Sequence, residues 1–173
     1  MEVIRKASND DINELIEFGK LTFTKTFGHL YPSEDLNNYL NESYSNNKFM
    51  TYINNDKYFT YIAINNDNRI IGYIIGSKGV DLPHDDITNN CYEIIKLYII
   101  EDSFGKGISY KLMDEVIKWY QSDNDHNDLW LSVYSDNHRA QKFYQKYGFE
   151  FAKEYGYVVG KSIDREFIYR KKK

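Results

Sequence analysis

The run Tyr92 to Ile100 is apolar on both faces, which restricts what a chain like this can fold into. A strand with no polar face has to be covered on two sides, so it belongs in the interior of a sheet with a layer on each face. Phe104-Gly105-Lys106-Gly107-Ile108-Ser109 follows almost at once. Ile108, Leu112 and Val116, with Met113 and Ile117, then recur every four residues and predict a helix from about Lys106 to Tyr120. A buried strand, a glycine turn and an amphipathic helix in that order point to an α/β architecture.

The rest of the chain supports that class. Val3 to Lys6 reads as a short strand, and Ser8 with Asp11 three positions on is a helix start, continued by the periodic Ile12, Leu15, Ile16 and Gly19. The stretch Thr22 to Pro32 mixes aromatics with breakers and is expected to be a loop; a second helix begins after Ser33 with Leu36, Tyr39 and Leu40 as its apolar stripe. Phe59–Ile64 and Ile70–Gly76 form a hairpin around Asn65-Asn66-Asp67-Asn68, and Val80–Asn90 is a polar surface loop. Leu129–Val133 is a further strand, Asn137–Tyr147 a helix, and Phe149–Ala152 with Glu166–Arg170 a closing strand pair. No linker or repeat interrupts the chain, so residues 1–173 are expected to form one domain.

Composition removes several function classes. With 22 basic and 26 acidic residues the net charge is −4, which gives no global attraction to nucleic acid or an anionic membrane and suits a cationic substrate better. Cys91 is the only cysteine, so a disulfide framework and a cysteine-based zinc site are excluded, and a reducing, cytoplasmic setting is the simplest expectation. The histidines at 29, 84, 126 and 138 have no ligand spacing, so no metal is expected. The N-terminus carries no apolar leader, and the apolar run around Ile94–Ile100 is far short of a membrane span of roughly 20 residues.

Two segments can carry chemistry. At the junction of strand and helix, Gly105 to Ser109 can present unpaired backbone N–H groups to an anion, although the spacing matches neither a P-loop nor a dinucleotide fingerprint. Asn137-His138-Arg139-Ala140-Gln141-Lys142-Phe143-Tyr144-Gln145-Lys146-Tyr147-Gly148-Phe149 has a capping Asn137 and a terminating Gly148; taken alone it reads first as a capped amphipathic helix.

Together, the glycine turn with its helix, the strand after it, and Asn-x-x-Ala-x-x-Phe-Tyr-x-Lys-x-Gly-Phe resemble the two cofactor motifs of the GNAT superfamily of N-acetyltransferases. The resemblance covers nearly the whole chain. It implies a mixed, mostly antiparallel sheet of six to seven strands flanked by about four helices, and acetyl-CoA as co-substrate without a metal. The pyrophosphate would lie on the amides of Gly105, Lys106, Gly107, Ile108 and Ser109, with Lys106 as a local helper. The pantetheine arm would pair with backbone near Leu97, Tyr98 and Ile99, and Asn137, Tyr144 and Lys146 would complete the cofactor site. Phe104 and Ser109 depart from the family, which usually has Gln or Arg at the first position and Gly or Ala at the second; Phe104 cannot donate a side-chain hydrogen bond.

The chemistry implied by the resemblance needs a base and an acid. An alkylamine is only about one part in two thousand neutral at pH 7, so its proton must be removed before it attacks a thioester. Glu93, eleven positions before Phe104, matches the base of histone-type members; its other reading is a strand-end carboxylate in solvent or a salt bridge. Tyr144 matches the family's usual general acid for the leaving thiolate; its other reading is a packing tyrosine among 17. The segment Phe23 to Tyr31 with Glu34-Asp35-Leu36 and Tyr39-Leu40 resembles the acceptor region of bacterial polyamine N-acetyltransferases, which would make Phe27, Tyr31 and Glu34 acceptor contacts, with the acids at 81, 85 and 86 as further attraction. A small cationic amine or polyamine is therefore the expected acceptor, with a protein or peptide amine as the rival and a non-catalytic acyl-CoA sensor as the alternative of another class. By family analogy a homodimer is possible.

Overall fold

The computed structural model of the chain describes residues 2–173. Strand β1 (Val3–Lys6) leads into α1 (Ile12–Phe27), α2 (Ser33–Ser43) and α3 (Asn46–Asn54). Then come β2 (Tyr58–Ile64), β3 (Ile70–Lys78), β4 (Tyr92–Ile99), α4 (Ile108–Ser122), β5 (Leu129–Tyr134), α5 (His138–Lys146), β6 (Glu150–Val159) and β7 (Ser162–Lys171). The strands form one seven-stranded sheet in the order β1-β2-β3-β4-β5-β7-β6. All neighbours are antiparallel except β4 and β5, which run parallel. This is the mixed, mostly antiparallel α/β sheet that the sequence predicts, with β4 at its centre.

Period-2 alternation on β3 divides the core into two layers. Tyr73 and Ile75 join Leu15, Phe18 and Phe23 of α1 with Tyr44 and Phe49 on one face, while Ile74 joins Ile108, Leu112 and Val116 of α4 and Tyr144 of α5 on the other. Burying the i, i+4 stripe of α4 supplies most of what holds that helix, because a 15-residue helix alone is marginal in water.

Three expectations need correction. Thr22 to Phe27 is helix, not loop: the hydroxyls of Thr22 and Thr26 bond back to the carbonyls of Phe18 and Thr22 (2.8 Å each), and Phe23 is buried, so tertiary packing overrides weak propensity. No helix is expected from the sequence at Asn46–Asn54, yet the segment is helical; Phe49, fully buried, anchors it against Tyr44 and Tyr73. The closing strands are also longer than the apolar pattern suggested, because β6 and β7 pair with each other along nearly their whole length and extend past the sheet. At the N-terminus the serine and acid act as expected. The Ser8 N–H donates to the Asp11 carboxylate (2.7 Å), and Arg5 holds both oxygens of Asp11 (2.8 and 2.7 Å), which keeps that carboxyl down at about 2. Among the described residues no helix is long and apolar enough to cross a membrane.

Candidate active site

The centre of the sheet is open. β4 and β5 pair only at Tyr92–Ile94 and Leu129–Leu131; beyond that the two parallel strands part, so Ile95–Ile99 on one side and Ser132–Tyr134 on the other edge a cleft. β4 is also bulged. Ile75 pairs with Lys96 and Gly76 with Ile94, so Ile95 is an extra residue that changes the strand's alternation at that point. Glu93, Lys96 and Tyr98 thereby face the α1 side, with Lys96 over the ring of Tyr44 at 4.6 Å, while Leu97 and Ile99 pack on the α4 side.

Below the cleft's mouth lies the glycine turn. Gly105 and Gly107 take φ of +76° and +77°, which side-chain-bearing residues rarely adopt, and a Cβ at either would meet nothing within 4 Å. The loop face is therefore open to an approaching group. The first intrahelical bond of α4 runs from the Lys111 N–H to the Gly107 carbonyl (3.1 Å), and no side chain caps the helix, so the amides of its first turn are free to bind an anion. The Lys106 N–H, by contrast, is engaged with the Ser103 carbonyl.

A cavity of about 1970 Å³ joins these features, larger than the roughly 300–1,000 Å³ of a single small-ligand pocket. It brings together most of the residues singled out from the sequence: Glu93, Leu97, Tyr98 and Ile99 on β4; Phe104, Gly105, Gly107 and Ser109 on the turn; Asn137, Tyr144 and Lys146 around α5; and Phe27 and Tyr31 from the first helical pair. Ile108 is buried in the core, so only its backbone is relevant to a ligand, and Lys106 and Glu34 are exposed residues outside the lining. Asn137 caps α5 through its side chain, accepting from the Ala140 N–H (3.2 Å).

Burial sets the electrostatics. Glu93, half-buried in the cavity wall, has its carboxyl pushed up to about 7 chiefly by desolvation, against a hydrogen bond from the Asp81 N–H (2.8 Å) that favours the anion. Burial also pushes Lys96 down to about 8, with Lys48 adding to the effect. Tyr144 is 8% exposed, and burial alone raises its phenol well above the usual range. Of the other acids singled out from the sequence, Asp86 pairs with Arg170 (2.7 Å) and Asp35 of α2 accepts from the Lys161 N–H (3.1 Å), both outside the lining, whereas Asp81 is exposed and lines the cavity.

Arg139 and Glu166 are among the cavity residues that the sequence alone does not single out. Arg139 of α5 lies over the Phe104 ring, 3.6 Å from its centroid. Glu166 of β7 points into the cavity, where it accepts from the Tyr155 hydroxyl (3.1 Å), and burial raises its carboxyl. Its alternation with the buried Ile168 was the available signal, but only strand register shows which face that alternation serves.

The geometry has clear relatives. The profile described as the acetyltransferase (GNAT) family matches residues 22–149. An uncharacterized N-acetyltransferase in the pepI 3′ region of Lactobacillus delbrueckii subsp. lactis is 25% identical over 172 residues, covering 97% of this chain and 95% of the relative. The crystal structure of the PaiA N-acetyltransferase of Thermoplasma acidophilum in complex with coenzyme A superposes with a TM-score of 0.78 at 26% identity, over 100% of this chain and 99% of that one. Arabidopsis thaliana NAA60, solved with a bisubstrate analogue, shares the fold with a TM-score of 0.78 at 15% identity over 100% and 99%. With a parted β4–β5 pair, a glycine turn opening α4 and a family profile spanning most of its length, the chain belongs to the GNAT family of acetyltransferases.

Proposed function

We propose that the protein moves an acetyl group from acetyl-CoA to a primary amine, a small cationic amine or polyamine, by direct attack while both are bound. The observation that carries this reading is the convergence of Glu93, Tyr144 and the glycine turn on one cavity at the parallel β4–β5 pair of the sheet. The relative from Thermoplasma acidophilum, solved with coenzyme A, supports the cofactor.

The residues fit that cofactor. Open amides at the start of α4 suit a pyrophosphate, and the edge of β4 at Leu97–Ile99, bonded to β3 on its other side, suits the amides of a pantetheine arm. Such an arm, entering from the glycine turn, must end where the strands close, at Ile94 and Leu131. Acetyl-CoA supplies the activated acyl group as a thioester. Glu93, with a carboxyl near 7, is ionised in a useful fraction at neutral pH and takes the ammonium proton of the acceptor, directly or through water. Backbone N–H groups along the bulged strand offer a donor to the charge that develops on the carbonyl oxygen. Tyr144 keeps its proton because burial opposes the phenolate; as the C–N bond forms and the C–S bond breaks it delivers that proton to the departing sulfur, and the proton shed by the attacking nitrogen returns to Tyr144 through water. Phe27 and Tyr31, which line the cavity, would flank the acceptor.

Thiol release from acetyl-CoA across a panel of amines tests the reading, comparing the parent with Tyr144→Phe. Release with cationic amines and its loss in Y144F are expected. Tight coenzyme A binding without release under any acceptor would identify an acyl-CoA sensor instead, and equal turnover of neutral and cationic amines would contradict the charged acceptor.

A further inference from the structure

Of the acids that the sequence offers for a cation, Glu34, Asp35, Asp85 and Asp86 lie outside the cavity lining; Asp81 and Glu101 are exposed where they line it, and Glu93 and Glu166 are the two half-buried carboxylates in its wall. Neither Glu93 nor Glu166 forms a salt bridge among the described residues. Glu166 is held from below by neutral hydroxyls: Tyr155 donates to it at 3.1 Å and also contacts Ser132 at 3.1 Å. Among the cations that line the cavity, Lys96 lies over the ring of Tyr44, and Lys57 acts on Glu93 without forming an ion pair; no cation is among the groups that shift Glu166. A buried carboxylate kept without a cationic partner is costly unless a ligand supplies the charge.

The register fixes how the two acids are spaced. Glu93 is opposite Trp130, and Glu166 is opposite Tyr134, on the same strand β5. Positions 130 and 134 have the same parity, so both acids share the face that also carries Ser132, midway between them. Four residues of strand correspond to about 13 Å, and each acid is about 7 Å along the strand from Ser132. Ser132 is where the β4–β5 cleft opens. Tyr157 lines the same cavity, and its hydroxyl reaches that of Tyr39 at 3.4 Å.

We propose that Glu166 is a specificity-determining residue that binds a second ammonium group of the acceptor, while the reacting amine lies between it and Glu93. The acceptor is then an α,ω-diamine or a longer polyamine. A four-carbon diamine separates its nitrogens by about 6 Å, which matches the step from the cleft opening to the Glu166 position. Tyr155, Tyr157 and Ser132 supply the neutral hydroxyls beside that ammonium, and Phe27 and Tyr39 the apolar flank for its methylenes. The inference rests on the proposed amine acetyl transfer and deepens it.

The test compares 1,4-diaminobutane with n-butylamine as acceptors for the full-length protein with acetyl-CoA, in the parent and in Glu166→Gln. The parent is expected to prefer the diamine at least tenfold in kcat/KM, and E166Q to lose at least tenfold of that preference through KM. Glu166→Asp, which keeps a carboxylate at that position, is expected to retain more of the preference than E166Q, and the melting temperatures of the two variants report their folding. Equal kcat/KM for the two amines in the parent, or an unchanged preference in E166Q, overturns the second-ammonium site while leaving acetyl transfer to amines standing. No turnover of any amine overturns the functional reading and this inference with it.

Discussion

Arg139 places its guanidinium 3.6 Å from the centroid of the Phe104 ring, linking the start of α5 to the glycine turn that opens α4. The position of Phe104 is one where a side-chain donor would be expected, and the sequence supplies none. The stack brings a permanent cation to that same turn from a different element, beside the free amides of the first turn of α4.

Arg139→Ala is therefore expected to weaken coenzyme A binding about three- to tenfold, the range of an exposed cation–π contact of about 0.5–1 kcal/mol together with a lost phosphate attraction. Isothermal titration with coenzyme A measures it, and lysine at 139 should restore only part of the affinity because it cannot stack as a plane. An unchanged affinity would remove Arg139 from the cofactor site.

Tyr144→Phe keeps the ring in the core cluster and removes only the hydroxyl. A fall in kcat of about 10²–10⁴, with the KM for acetyl-CoA within about twofold, is expected if the phenol is the proton donor. A comparable rise in KM with little change in kcat would instead assign it to binding.

The pH dependence follows from Glu93. Its carboxyl must be ionised to take a proton, so kcat/KM should rise with pH through about 7, and Glu93→Gln should flatten that limb. Stability runs the opposite way. A carboxyl raised from 4.5 to about 7 in the folded state binds more protons there than in the unfolded chain, so its contribution is full below 4.5 and is lost as pH rises through about 7. At pH 8, E93Q should then be more stable than the parent by on the order of 2 kcal/mol while being less active, a pair of outcomes that melting curves and initial rates check together.

Gly107→Ala tests the turn. At φ +77° the added Cβ has space but forces a strained backbone, at a cost of about 1–2 kcal/mol. A variant that relaxes out of that conformation turns the first amides of α4 away from the ligand. A tenfold or greater loss of coenzyme A affinity, with a melting temperature lowered by only a few degrees, is the expected result.

Legibility in the sequence tracked how local the cause was. The buried strand at Tyr92–Ile99, the four-residue repeat of α4, the Asn137 cap and the glycines at 105 and 107 were readable because periodicity, capping and positive φ act within a few residues. The helical Thr22–Phe27 and Asn46–Asn54 were not, since packing of Phe23 and Phe49 outweighs their weak local preference. The chain order and the motifs were enough to indicate a family. Tertiary structure alone decided which acids share the cavity: Glu34 and Asp35 sit on α2 outside the lining, while Glu166, 73 residues beyond Glu93, reaches the same face through the shared register of β5. Register is set by long-range pairing and core burial, and a one-residue slip would have sent Glu166 to the opposite side of the sheet.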